Sequence, residues 1–120
     1  MFRVIVAGGR DFNNYKGLTS SLNYLFQHIN DDIEIVCGMS KGADRLGERY
    51  AKEQGYRIIY MPADWDLYGR SAGYKRNVEM AKYANALVAF WDGKSSGTKH
   101  MIEIARSEGL EVRIKRYINR

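Results

Sequence analysis

Four short segments of the sequence combine glycines with charged or hydroxyl-bearing residues, a composition that suits the binding of phosphate groups. They are GGRDF (8–12), GMSKGAD (38–44), PADWDLYGRS (62–71) and DGKSSGT (92–98). Glycine lets the backbone approach a ligand with no Cβ in the way. A helix that begins at such a segment presents unpaired N–H groups and the positive end of its dipole. An anion, most naturally a phosphate, is therefore the expected ligand.

The best-formed phosphate cradle is predicted at SSGT (95–98), where small residues expose their amides and hydroxyl groups lie within reach. Thr98 could also cap the following helix. The same four residues suit a capped helix in a tight turn that binds nothing, so the segment alone does not decide between the two interpretations.

Other side chains near these segments each have a ligand-binding and a structural interpretation. Asp11 could clamp a ligand or cap the first helix, and Asp44 could stabilise a helix dipole without any ligand. Arg10 could add charge-assisted hydrogen bonds to a phosphate, as could Arg76, for which a solvated arginine is the alternative. Trp65 could stack on a base or act as a packing plug.

The elements that must position these segments alternate between strands and helices. Apolar strands are predicted at 2–7, 33–37, 56–61 and 86–91, with an edge strand at 111–117. Amphipathic helices fill the intervals, and the third, at about 72–84, is expected to bury Tyr74, Val78, Ala81 and either Asn77 or Met80. Gly47 is expected to allow close approach of the second helix to the sheet, and His100 to be a surface histidine. The segment 62–71 is expected to be a long loop, of the kind that forms lids or binding sites.

This alternation predicts an α/β fold with a three-layer, Rossmann-like, doubly wound parallel sheet of five strands in the order 3-2-1-4-5. All strand-to-helix connections then lie at the carboxyl edge, and a ligand is expected between strands one and four. Residues 1–120 are expected to form a single domain.

Composition excludes several classes of protein. No apolar run approaches the roughly 18 residues of a membrane span and no signal peptide is recognisable, so a cytoplasmic address is expected. Cys37 is expected to be a small buried hydrophobe in preference to a reactive thiol. Two histidines and one cysteine offer no close-spaced metal ligands. The net charge of +5 is a weak indication of phosphate or nucleic acid, and the basic end of the chain, including Arg120, is expected to be solvated.

Known nucleotide and hydrolase motifs are missing from the sequence. There is no G-x-G-x-x-G after the first strand and no acidic residue at the end of the second, which disfavours an NAD-type site. A G-x-x-x-x-G-K-[ST] loop and a G-x-S-x-G elbow are absent as well.

Four motifs together resemble a known family over nearly the whole chain. VAGGRDF (6–12), CGMSKGAD (37–44), PADWDLYGRSAGYKRNVEM (62–80) and SSGT (95–98) are similar to the YspA-like branch of the SLOG superfamily. That superfamily has a Rossmann-like fold and includes the LONELY GUY phosphoribohydrolases and DNA-processing recombination mediators. The resemblance implies a nucleotide or nucleotide-derived ligand. It places phosphate contacts on Gly97 and Thr98, a second glycine motif on Gly38, Gly42, Ala43 and Asp44, and the arginine-bearing helix on Arg76 and Asn77.

One departure from the phosphoribohydrolases concerns catalysis. Their Gly-Thr is followed, after two residues, by a catalytic glutamate, whereas this chain has Met101 at that position. Glu103 is two residues further on, a rotation of about 200° around the helix, so it is expected to point away. No catalytic residue is selected; if hydrolysis occurs, Asp64 or Asp11 would have to act as the acid or base.

The leading hypothesis is a domain that binds or senses a nucleotide-like ligand, with no other cofactor and no membrane partner expected. The alternatives are an N-glycosidic hydrolase acting on a nucleotide and single-stranded nucleic-acid binding; a homo-oligomer is left open. The candidate ligand-binding residues are Gly8, Gly9, Arg10, Asp11, Phe12, Gly38, Met39, Ser40, Gly42, Ala43, Asp44, Asp64, Trp65, Arg76, Asn77, Ser96, Gly97 and Thr98.

Overall fold

A computed structural model describes residues 1–118, in which strands and helices alternate along the chain. Arg120 lies outside the described residues. The elements are β1 (Phe2–Gly8), α1 (Tyr15–Phe26), β2 (Ile33–Cys37), α2 (Ala43–Gln54), β3 (Arg57–Tyr60), α3 (Trp65–Tyr68), a 3-10 turn (Gly69–Ser71), α4 (Ala72–Tyr83), β4 (Ala86–Trp91), α5 (Ser96–Ser107) and β5 (Glu111–Arg116).

The five strands form one parallel sheet in the order β3-β2-β1-β4-β5, which confirms the predicted topology. β1 lies at the centre, and its pairing with β4 runs from Val4 opposite Ala86 to Gly8 opposite Phe90. The chain order reverses direction between these two strands, so their carboxyl ends form the switch point of the sheet.

Helices cover both faces of the sheet, and this explains why β1 is apolar at every central position. Val4 and Val6 face the core formed with α1 and α2, whereas Ile5 and Ala7 face the core formed with α4 and α5. Successive strand side chains point to opposite faces, so a strand covered on both sides buries all of them. No helix within residues 1–118 is long and apolar enough to cross a membrane.

Gly47 brings α2 close to the sheet, as its position on the buried face predicts. A Cβ on this residue would lie only 2.7 Å from the Cβ of Val6 on β1. Cys37 is fully buried at the end of β2, and burial raises the pKa of its thiol to about 11, as expected of a buried hydrophobe and not of a reactive thiol.

Two local predictions are wrong. The connection 62–71 is not an unstructured loop, because it contains α3 and the 3-10 turn; Asp64 caps α3 by accepting a hydrogen bond from the Leu67 amide at 3.1 Å. Tyr74 is not buried in α4 but is 46% exposed, whereas Asn77 is buried. A four-residue helix is too short to show a hydrophobic period, and the burial of Asn77 depends on partners far away in sequence.

Candidate functional site

A cavity of about 530 Å³ opens at the carboxyl edge of the sheet, beside the switch point between β1 and β4. All four glycine-bearing segments contribute to its wall, together with the first half of α4. Its lining comprises Ala7, Gly8, Arg10, Asp11, Ser40, Asp44, Trp65, Arg70, Gly73, Tyr74, Arg76, Asn77, Met80, Asp92, Ser95, Ser96, Gly97, Thr98 and Met101.

Glycines allow close backbone contacts at the end of β1, both with β4 and with the segment that follows β2. A Cβ on Gly8 would lie 2.2 Å from the carbonyl oxygen of Phe90, and a Cβ on Gly42 would lie 2.2 Å from that of Gly9. Gly42 also has a φ of 77°, in the left-handed region that favours glycine. The Ala43 amide donates to the Gly9 carbonyl at 3.2 Å, which fixes the two segments together.

Asp44 is buried in the first turn of α2, where its residue is only 5% exposed. Its Oδ2 accepts a hydrogen bond from the Ser40 amide at 3.2 Å. The position of a Cβ on Gly38 would be 2.8 Å from that oxygen and 2.7 Å from Nη1 of Arg76, so glycine leaves room for both groups. Burial raises the pKa of Asp44 to about 6, against the opposing effects of the Ser40 hydrogen bond and the charge of Arg76.

Arg76 and Asn77 connect three parts of the cavity wall. Arg76 donates from Nη1 to the Gly38 carbonyl and from Nε to Oδ1 of Asn77 at 3.1 Å. Asn77 lies with Nδ2 3.4 Å from the Gly97 carbonyl and 3.2 Å from Nδ1 of His100. Arg76 is therefore not a solvated arginine, and burial lowers its pKa while the charge of Asp44 raises it. The expectation of a surface histidine is wrong, because His100 also packs edge-on against Tyr74.

The amino terminus of α5 is held by its flanking residues and faces the cavity. Asp92 Oδ1 accepts from the amides of Lys94 and Ser95, both at 2.8 Å, and Trp91 Nε1 donates to the Ser95 carbonyl at 3.1 Å. Ser95 occupies the N-cap position but its side chain makes no capping hydrogen bond. Thr98 lies in the first turn and is not the cap; its hydroxyl is 3.3 Å from that of Ser95. The first-turn amides have no partner of the i−4 type within the helix.

Asp11 does not cap α1, because Asn14 performs that role by accepting from the Gly17 amide at 2.9 Å. The Asp11 carboxylate instead accepts a hydrogen bond from the hydroxyl of Tyr117. Burial, followed by this bond, raises the pKa of Tyr117. The end of β5 thus fixes the segment that follows β1.

The mouth of the cavity carries exposed aromatic side chains. Trp65 is 51% exposed at the start of α3, and its ring lies against Gly73 of α4, where a Cβ would be 3.4 Å away. Tyr74 and Arg70 also border the cavity. Neither was predicted as a site residue, although Arg70 lies in one of the four segments.

Eleven predicted site residues border the cavity: Gly8, Arg10, Asp11, Ser40, Asp44, Trp65, Arg76, Asn77, Ser96, Gly97 and Thr98. Seven do not: Gly9, Phe12, Gly38, Met39, Gly42, Ala43 and Asp64. Phe12 and Ala43 are core residues, and Phe12 stacks on Phe90 with ring centroids 4.7 Å apart. The glycines contact other backbone or side-chain atoms, and Asp64 borders a separate depression beside α3.

The model of the YspA, cpYpsA-related SLOG family matches residues 2–68. The Gene 61 protein of Mycobacterium phage D29 is 30% identical over 118 residues, which cover 93% of this chain and 94% of that protein. The chain belongs to this SLOG family.

A solved structure with the same fold is DNA processing protein A (DprA) from Streptococcus pneumoniae, with a TM-score of 0.70 and 19% sequence identity. The match covers 94% of the SLOG chain but only 49% of DprA, so the chain spans about half of that protein. At this identity, the likeness concerns the fold alone.

The SLOG chain has no carboxylate at the position of the phosphoribohydrolase glutamate. Met101 is buried in the cavity wall there, and Glu103 is exposed and does not border the cavity. Asp64 does not line the cavity either, although its neighbour Trp65 does. The acidic residues that line the cavity are Asp11, Asp44 and Asp92.

Proposed function

We propose that this SLOG protein binds a nucleotide or nucleotide-derived ligand in the cavity, with a phosphate of the ligand at the amino terminus of α5. The observation that carries the proposal is the first turn of α5, which borders the cavity through Ser96, Gly97 and Thr98 while the Ser95 side chain caps none of its amides. Nothing would contact a Cβ on Gly97 within 4 Å, so this turn is open to a ligand. Such a turn favours an anion through its N–H groups and its dipole.

The size and charge of the cavity favour a ligand with both an anionic and a neutral polar part. Its volume of about 530 Å³ falls within the usual range for small-molecule sites, roughly 300–1,000 Å³. Its lining carries arginines and aspartates in equal number: Arg10, Arg70, Arg76, Asp11, Asp44 and Asp92. A purely anionic ligand would meet as many carboxylates as guanidinium groups, whereas a nucleotide also offers donors on its sugar and base. Trp65 supplies a ring surface for the base.

Binding or sensing is favoured over N-glycosidic hydrolysis by the wall residue Met101. The thioether cannot donate or accept a proton in the place where the phosphoribohydrolases use a carboxylate. We therefore assign no catalytic role to any residue.

A charge placed on the first turn of α5 tests the proposal. In Ser96→Glu, the carboxylate stabilises the helix dipole and repels a bound phosphate, so the folded state persists while nucleotide binding is lost. Ser20→Glu on α1 is the matched control, since Ser20 is exposed and does not border the cavity. Calorimetry and thermal shift with a panel of nucleoside mono-, di- and triphosphates provide the readout. The proposal fails if no member binds wild type, or if Ser96→Glu and Ser20→Glu respond equally.

Single-stranded nucleic acid is a second candidate because of the side chains at the cavity mouth. Trp65 and Tyr74 border the cavity and are exposed, and the exposed ring of Tyr68 in α3 has the Lys75 ammonium 4.8 Å from its centre. Aromatic rings beside basic groups suit stacked bases and a phosphate backbone. DprA, which shares the fold, is described as a DNA processing protein.

The two candidates differ in their salt dependence. Fluorescence anisotropy with a labelled oligonucleotide should show affinity that falls steeply between about 50 and 200 mM salt if the second candidate holds. Absent or salt-insensitive binding removes it and leaves the mononucleotide site unaffected.

A further inference from the structure

The further inference rests on the proposed function and concerns the sugar of the ligand. In Rossmann sites, an acidic residue at the end of the second strand accepts hydrogen bonds from a ribose hydroxyl. Here β2 ends in Cys37 and is followed by Gly38, so the usual acid is missing. A carboxylate nevertheless borders the cavity, because Asp44 lies in the first turn of α2 at the cavity wall.

Backbone contact fixes the position of Asp44 relative to the segment after β1. The Ala43 amide donates to the Gly9 carbonyl at 3.2 Å, and a Cβ on Gly42 would lie 2.7 Å from the carbonyl oxygen of Arg10. α2 therefore cannot move away from this wall without breaking the contact. The carboxylate is held against the cavity by two adjoining segments of backbone.

The environment of Asp44 favours a neutral donor as its ligand partner. A carboxylate has about four acceptor sites, and the hydrogen bond from the Ser40 amide to Oδ2 uses one of them. A fully ionised phosphate has no hydrogen to donate to a carboxylate, whereas a pair of sugar hydroxyls can donate two hydrogen bonds. Asp44 is only 5% exposed. An acidic residue can stabilise a helix dipole from an exposed position, so the dipole of α2 does not explain why this carboxylate is buried.

The proposed phosphate site lies on the other side of β1 from Asp44. α5 follows β4 and α2 follows β2, and these two strands flank β1 in the sheet. A nucleotide with its phosphate at α5 and its sugar toward α2 would cross the switch point, where the cavity lies. This arrangement gives the anionic group and the hydroxyl groups separate partners.

We propose that Asp44 accepts hydrogen bonds from the vicinal hydroxyls of a ribose, so that the cavity selects ribonucleotides over 2′-deoxyribonucleotides. Removal of the 2′-hydroxyl leaves a buried acceptor without this partner. The expected loss of affinity is roughly 10- to 100-fold.

Matched ligand pairs test the inference on the wild-type protein. Calorimetry compares AMP with 2′-deoxyAMP and GMP with 2′-deoxyGMP, together with the corresponding pyrimidine pairs. A preference of tenfold or more for the ribonucleotide supports the proposal. Equal affinity for the two members of a pair that binds overturns it while leaving the proposed function intact. If no ribonucleotide or deoxyribonucleotide binds, the proposed function itself fails.

Substitution then assigns the preference to a residue. Asp44→Asn is expected to lower the ribonucleotide preference, and Asp32→Asn, an exposed position that does not border the cavity, is expected to retain it. Asp44→Glu provides a second variant that keeps the charge but displaces the acceptor by one methylene. A preference that persists unchanged in a folded Asp44 variant overturns the assignment to Asp44.

Discussion

Nδ2 of Asn77 lies 3.2 Å from Nδ1 of His100 and 3.4 Å from the carbonyl oxygen of Gly97. The orientation of the amide is fixed because its Oδ1 accepts a hydrogen bond from Nε of Arg76. An amide nitrogen donates only, so Nδ1 of His100 must accept and the imidazole must be neutral with its proton on Nε2. α4 thereby connects the first turn of α5 to a neutral histidine.

Titration of His100 should reflect this arrangement. Burial lowers its pKa, and the charge of Glu103 opposes the shift. The unfolded state therefore takes up a proton before the folded state does, and stability falls as the pH drops below about 6.5. Imidazole NMR should give a pKa below that value in wild type and a higher one in Asn77→Asp, whose carboxylate stabilises the imidazolium. Asn30→Asp, an exposed control, should leave it unchanged; a wild-type pKa at or above 6.5 contradicts the prediction.

Gly47→Ala should destabilise the protein although alanine has the higher helix propensity. The added methyl group would lie 2.7 Å from the Cβ of Val6, so α2 must shift away from β1. Overpacking of this kind costs about 1–3 kcal/mol, against a gain of about 1 kcal/mol from helix propensity. Urea denaturation measures the difference. Gly97→Ala is the control, because no atom lies within 4 Å of a Cβ at that position, and it should be neutral or slightly stabilising. Equal effects of the two substitutions would refute the close-packing explanation.

The sheet order and most of the cavity wall followed from local patterns in the sequence. β4 is apolar throughout and β1 is apolar at its central positions because both faces of each strand are covered, and this pattern predicts a central place in a parallel sheet. The glycine-bearing segments then had to meet at one edge. Their residues Arg10, Ser40, Trp65 and Gly97 all border the cavity.

What the sequence did not reveal depends on contacts between distant residues. Asn77 is buried because its partners include the carbonyl of Gly97 and the ring of His100, neither of which a helical period can indicate. Tyr117 contacts Asp11 across 106 positions of the chain. Such pairs arise from the folded arrangement of the loops, so hydrophobic pattern alone assigned Tyr74 to the core, and the sequence left a helix cap open as one of two interpretations of Asp11.

Asp44 should make the protein less stable as the pH rises. Its folded pKa of about 6 exceeds the ordinary value of 3.8 because of burial, with Arg76 from α4, Arg45 of α2 and Arg10 from the segment after β1 opposing the shift. Below about pH 3.8 the group is protonated in both states, and between 3.8 and 6 only the unfolded state loses the proton. The protonated carboxyl of Asp44 therefore stabilises the folded state at low pH, and this stabilisation is lost by neutral pH.

The change attributable to Asp44 is roughly 2–4 kcal/mol between pH 4 and pH 8. Urea denaturation of wild type and Asp44→Asn across this range isolates it, since the other titrating groups are common to both. Stability should fall more with pH in wild type than in the variant. Parallel pH profiles for the two proteins would contradict a raised pKa.

Asp92 has two opposite effects on an anion at α5, and two substitutions separate them. Its Oδ1 orders the cradle by accepting from the amides of Lys94 and Ser95, and these hydrogen bonds lower its pKa. Its negative charge, which borders the same cavity, repels a phosphate.

Asp92→Asn retains an acceptor oxygen without the charge, so affinity for a nucleotide should rise about two- to fivefold. Asp92→Ala also removes the charge but frees the segment, so binding should be weaker than in Asp92→Asn by about tenfold, because the ligand must then order the loop. Calorimetry with one nucleotide on all three proteins should give the highest affinity for Asp92→Asn, a lower one for wild type and the lowest for Asp92→Ala. An alanine variant that binds as tightly as the asparagine variant would mean that the two amide bonds do not preorganise the phosphate site.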